Sequence, residues 1–189
     1  MINRREALSR VAIIMGGTVL GAEAFLTGCK TNTKGVTFSQ ADVDFLNEVG
    51  ETILPATDTP GAKAANVGAF MQIMVSDCYE AKDQAIFMQG MEELKFKASK
   101  AKMGKAFMEA TPEERTAFLT DLDKEAKEYQ LNKKKEDPTH YFTMMKQMTL
   151  SGLFTSKIGA TEVLRYVAVP GKFEGCVPYT KGEKAWATS

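Results

Sequence analysis

Few residues in this chain have types and spacings that could do chemistry. Of its 189 residues, three are cysteine and one is histidine. Cys29 closes the tetrapeptide Leu26-Thr27-Gly28-Cys29, right after an apolar run from Val11 to Leu26. Small residues ahead of a cysteine admit a signal peptidase, and the thiol is the group there that can take a thioether-linked lipid. Cys29 is therefore read as a lipidation site, anchored by about 0.8 kcal/mol per buried methylene. Cys78 and Cys176 remain as an even pair, and an exported chain meets conditions that permit a disulfide. That bond would close a loop of roughly 100 residues and stabilise by about 4 to 5 kcal/mol on the chain-entropy model. The alternative is two reduced, buried thiols. A redox enzyme acting alone through these cysteines is weakened by the lack of Cys-x-x-Cys spacing, which would lower a thiol pKa.

His140, between Thr139 and Tyr141 at a helix start, reads as a capping or surface residue in preference to a general base. The acid pairs Glu92-Glu93 and Glu113-Glu114 fall on polar helix faces or in a first turn, where negative charge suits the helix dipole. The sequence has no glycine-rich dinucleotide loop, no phosphate-binding loop ending in Gly-Lys-Ser/Thr, and no Cys-x-x-Cys-His for haem. It offers no close set of His, Cys and carboxylate ligands for zinc or iron. No catalytic, cofactor-binding or metal residue is expected in this chain.

The N-terminus adds an address. Arg4 and Arg5 precede Ala7-Leu8 and then the apolar run, the layout of an export signal. Its 16 residues contain Gly16, Gly17, Gly21 and Glu23, too short and too weakly apolar for a bilayer span, which needs about 20. The arginine pair and modest hydrophobicity fit the twin-arginine route, with Ala7 a departure from the bulkier residue usual there. Residues 1–28 are thus a signal peptide, 29–36 a lipidated polar leash, and 37–189 a helical domain. The expected location is periplasmic, lipid-anchored to the inner or outer membrane; Lys30 after the cysteine leaves the choice of membrane open.

The formal charge of the whole chain is zero, and removing residues 1–28 leaves 21 basic against 22 acidic groups, near −1. Nucleic-acid binding leaves a basic footprint, which is missing. The remaining residues suffice for one domain with its own core.

The elements are helices. Ser39 with Asp42 at N3 reads as an N-cap, and Phe38 and Val43 are placed for a hydrophobic staple. Val43, Leu46, Val49 and Ile53 then share a face until Pro55, after which residues 55–62 form a turn-rich loop. A second stripe runs through Val67, Phe70, Met71, Met74 and Cys78. A third helix spans about Lys82 to Met108, burying Ile86, Phe87, Met91 and Leu94, with Lys95 to Lys105 solvated and Gly104 breaking it. Thr111-Pro112-Glu113-Glu114 is a capping box with proline at N1, ahead of Phe118, Leu119, Leu122 and Ala126. A fifth helix covers Thr139 to Phe154 with Phe142, Met145, Met148 and Leu153 inward, and a short one is expected over Thr161 to Tyr166. The prediction is an all-α domain of about five to six helices with an irregular C-terminal tail. Nine methionines follow the signal; thioethers fill irregular cores or adapt to partners. Trp186 reads equally as a loose end or an aromatic anchor.

Two blocks carry a resemblance. Residues 149–176 read TLSGLFTSKIGATEVLRYVAVPGKFEGC, and residues 52–62 read TILPATDTPGA. In this order they resemble the gluconate 2-dehydrogenase subunit 3 family, the small subunit of membrane-associated flavin dehydrogenases, over about residues 38–180. The resemblance implies a helical, twin-arginine-exported subunit without its own cofactor. It would partner a flavoprotein of the glucose-methanol-choline (GMC) type that holds FAD, often with a cytochrome c subunit as electron acceptor, with a sugar, glycoside or polyol as the substrate of the complex. It also implies an escort role, because the twin-arginine route carries folded cargo and this chain has no cofactor of its own to demand it. Partner contact is implied for Gly152, Phe154, Thr155, Ser156, Gly159, Tyr166, Pro170 and Gly171; glycines and prolines also shape turns with no partner near. The alternative function is a lipid-anchored helical module that binds another envelope protein, unconnected with a dehydrogenase.

Overall fold

The computed structural model describes residues 36–169, 171–172 and 175–187; Arg4, Arg5, Cys29 and Pro170 lie outside the described residues. Six α-helices follow one another: α1 Gln40–Ile53, α2 Val67–Ile73, α3 Ala81–Glu92, α4 Ala98–Met103, α5 Pro112–Asn132 and α6 Tyr141–Phe154. π-Helical segments at Met74–Cys78, Glu93–Lys97 and Gly159–Val163 extend α2, join α3 to α4, and follow α6. No strand forms among the described residues, where an isolated bridge pairs Arg165 with Trp186. The all-α expectation holds.

Local chemistry sets the helix starts. At α1 the Ser39 Oγ accepts from Asp42 N at 3.3 Å and the Asp42 carboxylate accepts from Ser39 N at 2.7 Å, so two orphan amides are satisfied reciprocally. Thr111 and Glu114 do the same at α5 (3.3 and 2.8 Å), with Pro112 at N1. His140 caps α6, its Nδ1 accepting from Phe142 N at 3.2 Å. Gly104 ends α4 in the left-handed region at φ 73°, a conformation that a Cβ would strain.

The apolar faces meet in one core. α1 packs on α2, α5 and α6, and α6 also packs on α2, α3 and α5. Leu46, Val49, Val67, Met71, Phe87, Leu94 and Met145 are buried at that centre, and each such side chain contributes about 1.5–3 kcal/mol by leaving water. Phe45 meets Phe107 edge-on at 5.4 Å, and Phe38 lies 6.3 Å from Phe87, tying the start of α1 to α3. Met71, Met91, Met144, Met145 and Met148 are all buried, so these five serve as core filler.

Three expectations need correction. Cys78 does not share the buried stripe of α2: it is exposed, and Val75 is buried instead. Residues 74–78 wind as a π-helix with i→i+5 spacing, which advances each residue less around the axis and carries Cys78 off the buried face, while Val75, four residues after the buried Met71, stays on it. The basic stretch from Lys95 is not wholly solvated, since the Lys95 side chain, 12% exposed, pairs with Asp42 and lies 5.3 Å from the centre of the Phe45 ring. Burial alone would raise the Asp42 carboxyl pKa, but hydrogen bonds from Lys95 and Ser39 bring it below the usual value. Finally, the helix expected over Thr161 to Tyr166 is a single π-helical turn ending at Val163, because Leu164 N bonds back to Gly159 O at 2.8 Å and the chain then leaves extended.

Candidate functional site

The loop after α1 is built by the polar face of that helix. Glu51 lays its carboxylate across the loop, Oε1 accepting from Ala56 N and Oε2 from Lys63 N, both at 2.8 Å. Ala62 N donates to Leu54 O at 2.9 Å and closes the turn. One turn earlier, Asn47 accepts from Gly68 N at 2.8 Å and donates to Asn66 Oδ1 at 3.0 Å. This holds Asn66 in the left-handed region, φ 52°, which asparagine tolerates better than most residues. Glu48 receives Lys63 Nζ and, at 2.9 Å, Arg115 Nη1 from α5. Arg115 also donates to Phe107 O (3.0 Å) and Met108 O (2.9 Å) with its guanidinium 5.3 Å from the Phe107 ring centre. Three acceptors and a ring face thus fix one side chain that is 14% exposed, and hydrogen bonds to a charged group are among the stronger ones.

At the end of α6 the chain turns on hydroxyls. Thr155 Oγ1 donates to Ser151 O at 2.6 Å. Ser156 Oγ donates to Leu153 O at 2.7 Å and accepts from Gly159 N at 2.9 Å. Ser156 therefore closes one helix and starts the next turn. A Cβ on Gly159 would stand 1.8 Å from Leu153 O, a backbone approach that requires glycine, and one on Gly152 would stand 2.9 Å from the Phe70 ring and 3.2 Å from Val67, so those side chains would have to shift.

These contacts bring the two sequence blocks together. Ala62, from the loop, lies beside Gly50 of α1; so do Val67 of α2 and Thr149 of α6. Thr149 is buried and donates to Met145 O at 2.9 Å, so its methyl group faces the junction while its hydroxyl is spent locally. Residues 40–171, from the first turn of α1 through the first block and most of the second, match the family described as gluconate 2-dehydrogenase subunit 3. The chain belongs to that family. No curated protein and no solved structure matches it. Membership makes it a subunit of the gluconate 2-dehydrogenase type of complex.

Within this family member the residues singled out for partner contact fall into two groups. Gly152, Ser156 and Gly159 are committed to the turn and to helix packing. Phe154, Thr155, Tyr166 and Gly171 are exposed, Gly171 with φ 78°. Cys78 and Cys176 form no bond in the structure; both are free and both exposed, so neither the bonded nor the buried state expected for them is adopted. Cys78 ends a π-helical segment of the helical body, whereas Cys176 lies in the irregular tail.

His140 is half-buried, stacked on Tyr141 at 4.6 Å and 5.5 Å from Tyr129. Burial lowers its pKa, with Glu125 and Glu93 pulling the other way. Among the described residues no group of three or more His, Cys, Asp or Glu could hold a metal ion, and no helix is long and apolar enough to cross a membrane. A groove of about 570 Å³ runs between α5 and α6, lined by Ala126, Leu131 and Leu150 and by Asp123 with its partners Lys127 and Lys146. The two lysine hydrogen bonds, Lys127 first, hold the Asp123 carboxyl below its ordinary pKa.

Sequence reasoning overlooked Asn47, Glu48, Glu51 and Arg115. Three polar residues within five positions on the polar face of an amphipathic helix, just ahead of a Pro/Gly loop, were the available signal. Their partners lie up to 67 residues away, and nothing in the local pattern names them.

Proposed function

We propose that this chain is the non-catalytic small subunit of a periplasmic, FAD-dependent sugar, glycoside or polyol dehydrogenase complex. In this reading the FAD sits in a GMC-type flavoprotein partner, and a cytochrome c subunit can accept its electrons. The small subunit escorts the flavoprotein through twin-arginine export, stabilises it and, through lipid on Cys29, holds it at a membrane. The observation that carries the reading is the match across the whole helical body, residues 40–171, to a family described as a dehydrogenase subunit. The arginine pair Arg4-Arg5 and the Leu26-Thr27-Gly28-Cys29 tetrapeptide add the export route and the anchor.

The test is co-expression with a GMC-type flavoprotein of the same genome that lacks its own signal. Pull-down and a dye-linked sugar dehydrogenase assay of the envelope fraction follow. Both proteins are expected in the periplasm and copurifying, and replacing Arg4 and Arg5 by lysine is expected to strand both in the cytoplasm. Export of the flavoprotein despite that change would end the escort reading. Flavin or turnover in the isolated small subunit would end the non-catalytic one. A Cys29→Ser variant is expected to release the complex from membranes without loss of dye reduction.

A further inference from the structure

Five lysines and no acidic residue lie between Leu94 and Met108: Lys95, Lys97, Lys100, Lys102 and Lys105. The whole chain is neutral, so the surplus of positive charge here is local. It falls on one continuous helical stretch, the π-helical turn Glu93–Lys97 followed by α4. Leu94 and Ser99 are buried on the inner side of that stretch, whereas Phe96, Lys97, Lys100, Ala101 and Lys102 are exposed on the outer side. The ends of the run are neutralised and its middle is not. Lys95 pairs with Asp42, and Lys105 Nζ donates to the two Glu114 carboxylate oxygens at 2.9 and 2.8 Å. Among the described residues no carboxylate pairs with Lys97, Lys100 or Lys102; Lys102 lies 5.8 Å from the centre of the Phe118 ring. The other lysine run, Lys133-Lys134-Lys135, is answered at once by Glu136 and Asp137. Phe96 stands 49% exposed amid the unpaired ammonium groups, where its ring gains little within the subunit.

The position of the stretch indicates what it meets. The Lys95 contacts with Asp42 and, at 5.3 Å, with the Phe45 ring fasten it to the first turns of α1. That is the end at which the chain enters the helical body, through residues 36–39. Cys29 stands ten residues before Ser39, a span of about 35 Å at full extension. A lipid on Cys29 thus keeps this end of the body close to a membrane surface, and tethering raises the effective concentration of any contact made there. An anionic lipid surface attracts each nearby lysine by about 1 kcal/mol. Apolar side chains of a basic amphipathic helix settle at the boundary between headgroups and acyl chains.

We infer that the Glu93–Met103 stretch is a docking face for an anionic lipid surface: Lys97, Lys100 and Lys102 meet the headgroups, and the Phe96 ring enters the boundary beneath them. The inference rests on the anchor at Cys29 proposed above, and the experiment separates the two. The mature chain from Cys29, with Cys78→Ser and Cys176→Ser, is coupled through the Cys29 thiol to a maleimide lipid in vesicles. Phosphatidylcholine vesicles are compared with vesicles rich in phosphatidylglycerol. Acylation of Lys97, Lys100 and Lys102 by an amine-reactive ester, read by mass spectrometry, is expected to slow about threefold or more on the anionic vesicles and to recover in high salt. Lys134 and Lys157, both exposed, are expected to keep one rate on both. A Phe96→Trp reporter in a Trp186→Phe background is expected to be quenched by brominated acyl chains. Replacing the three lysines together by glutamine is expected to cut that quenching about fivefold or more with the melting temperature unchanged. If the three lysines react alike on both vesicles, or the reporter is not quenched, the face does not rest on lipid. Protection of the same lysines by the flavoprotein subunit in lipid-free solution would assign the face to that subunit and overturn the inference too. The intact mass of the protein from cells tests the anchor separately: a chain without acyl groups ends the anchor reading, while the vesicle comparison decides the face by itself.

Discussion

Met145, Met148 and Leu153 of α6 are each no more than 5% exposed, whereas Val169 and Tyr179, further along the chain, are more than 80% exposed. Leu153 and Val169 even lie in one sequence block, residues 149–176, and the apolar residues of the two regions are of similar size. They differ in what stands opposite. α6 presents its apolar face to α1, α2, α3 and α5, so burial stabilises every turn of it. Among the described residues the segment after Leu164 forms no helix of its own to make such a face, and polar and cation–π contacts join Arg165 to residues 183–187. A motif recognised as one stretch therefore divides into a part that builds the body and a part that the body displays.

That division can be broken or sharpened by substitution. The largest effect is expected at Gly159, where alanine would drive a Cβ against the Leu153 carbonyl oxygen; about 3 kcal/mol or more should be lost in chemical denaturation. An unchanged midpoint would mean that the turn is part of the surface and not of the body. Arg115→Met comes next: it removes the guanidinium from Glu48 Oε2, Phe107 O and Met108 O, although Lys63 stays on Glu48 and Ala110 N on Phe107 O, at a cost of about 2 kcal/mol. A loss no larger than for an exposed lysine substitution would show that the Arg115 network contributes nothing.

His140→Ala should cost about 1 kcal/mol by removing the cap of α6. Its pKa is depressed from the ordinary 6.5 in the folded chain. The unfolded chain therefore binds the extra proton first, and the stability contributed by the neutral cap is complete above pH 6.5 and lost progressively below it. Thermal melts from pH 7.5 to 5 should show a decline that His140→Asn, a cap that cannot titrate, removes; a parallel decline in both would assign the effect elsewhere. The smallest effect belongs to the contact of Arg165 with Trp186. Trp186→Ala should shift the stability of the free subunit by less than about 1 kcal/mol, the size of an exposed cation–π contact, and a loss comparable to that of Gly159→Ala would join the tail to the body.

Much of the body was legible from sequence because its signals are local. Ser39 and Thr111 announce their helices through hydroxyls that reach an amide three residues on, and Phe118, Leu119, Leu122 and Ala126 lie on one helical face whatever that face meets. All four are buried. His140 was read as a cap or surface residue and stands as a half-buried cap. Legibility failed where helix geometry departs from the α-form. Cys78 was placed on a buried stripe by counting α-helical turns, and the π-helical winding of residues 74–78 moved it outward. It failed again where partners are distant, as for Glu48 and Arg115, or where one motif contains both packing and display, as for Gly159 and Tyr166.

The sequence by itself determined the helical class, the helix starts and the faces that seek burial, since capping and 3.6-residue periodicity act within a few residues of each other. Only the tertiary structure decided that Gly50 would be surrounded by Ala62, Val67 and Thr149, joining the two family blocks, and that Arg165 would find Trp186 across a loop and leave the tyrosines outside. Those outcomes depend on contacts between residues far apart in the chain, and such contacts are chosen by the packing of the whole body, which no local pattern encodes.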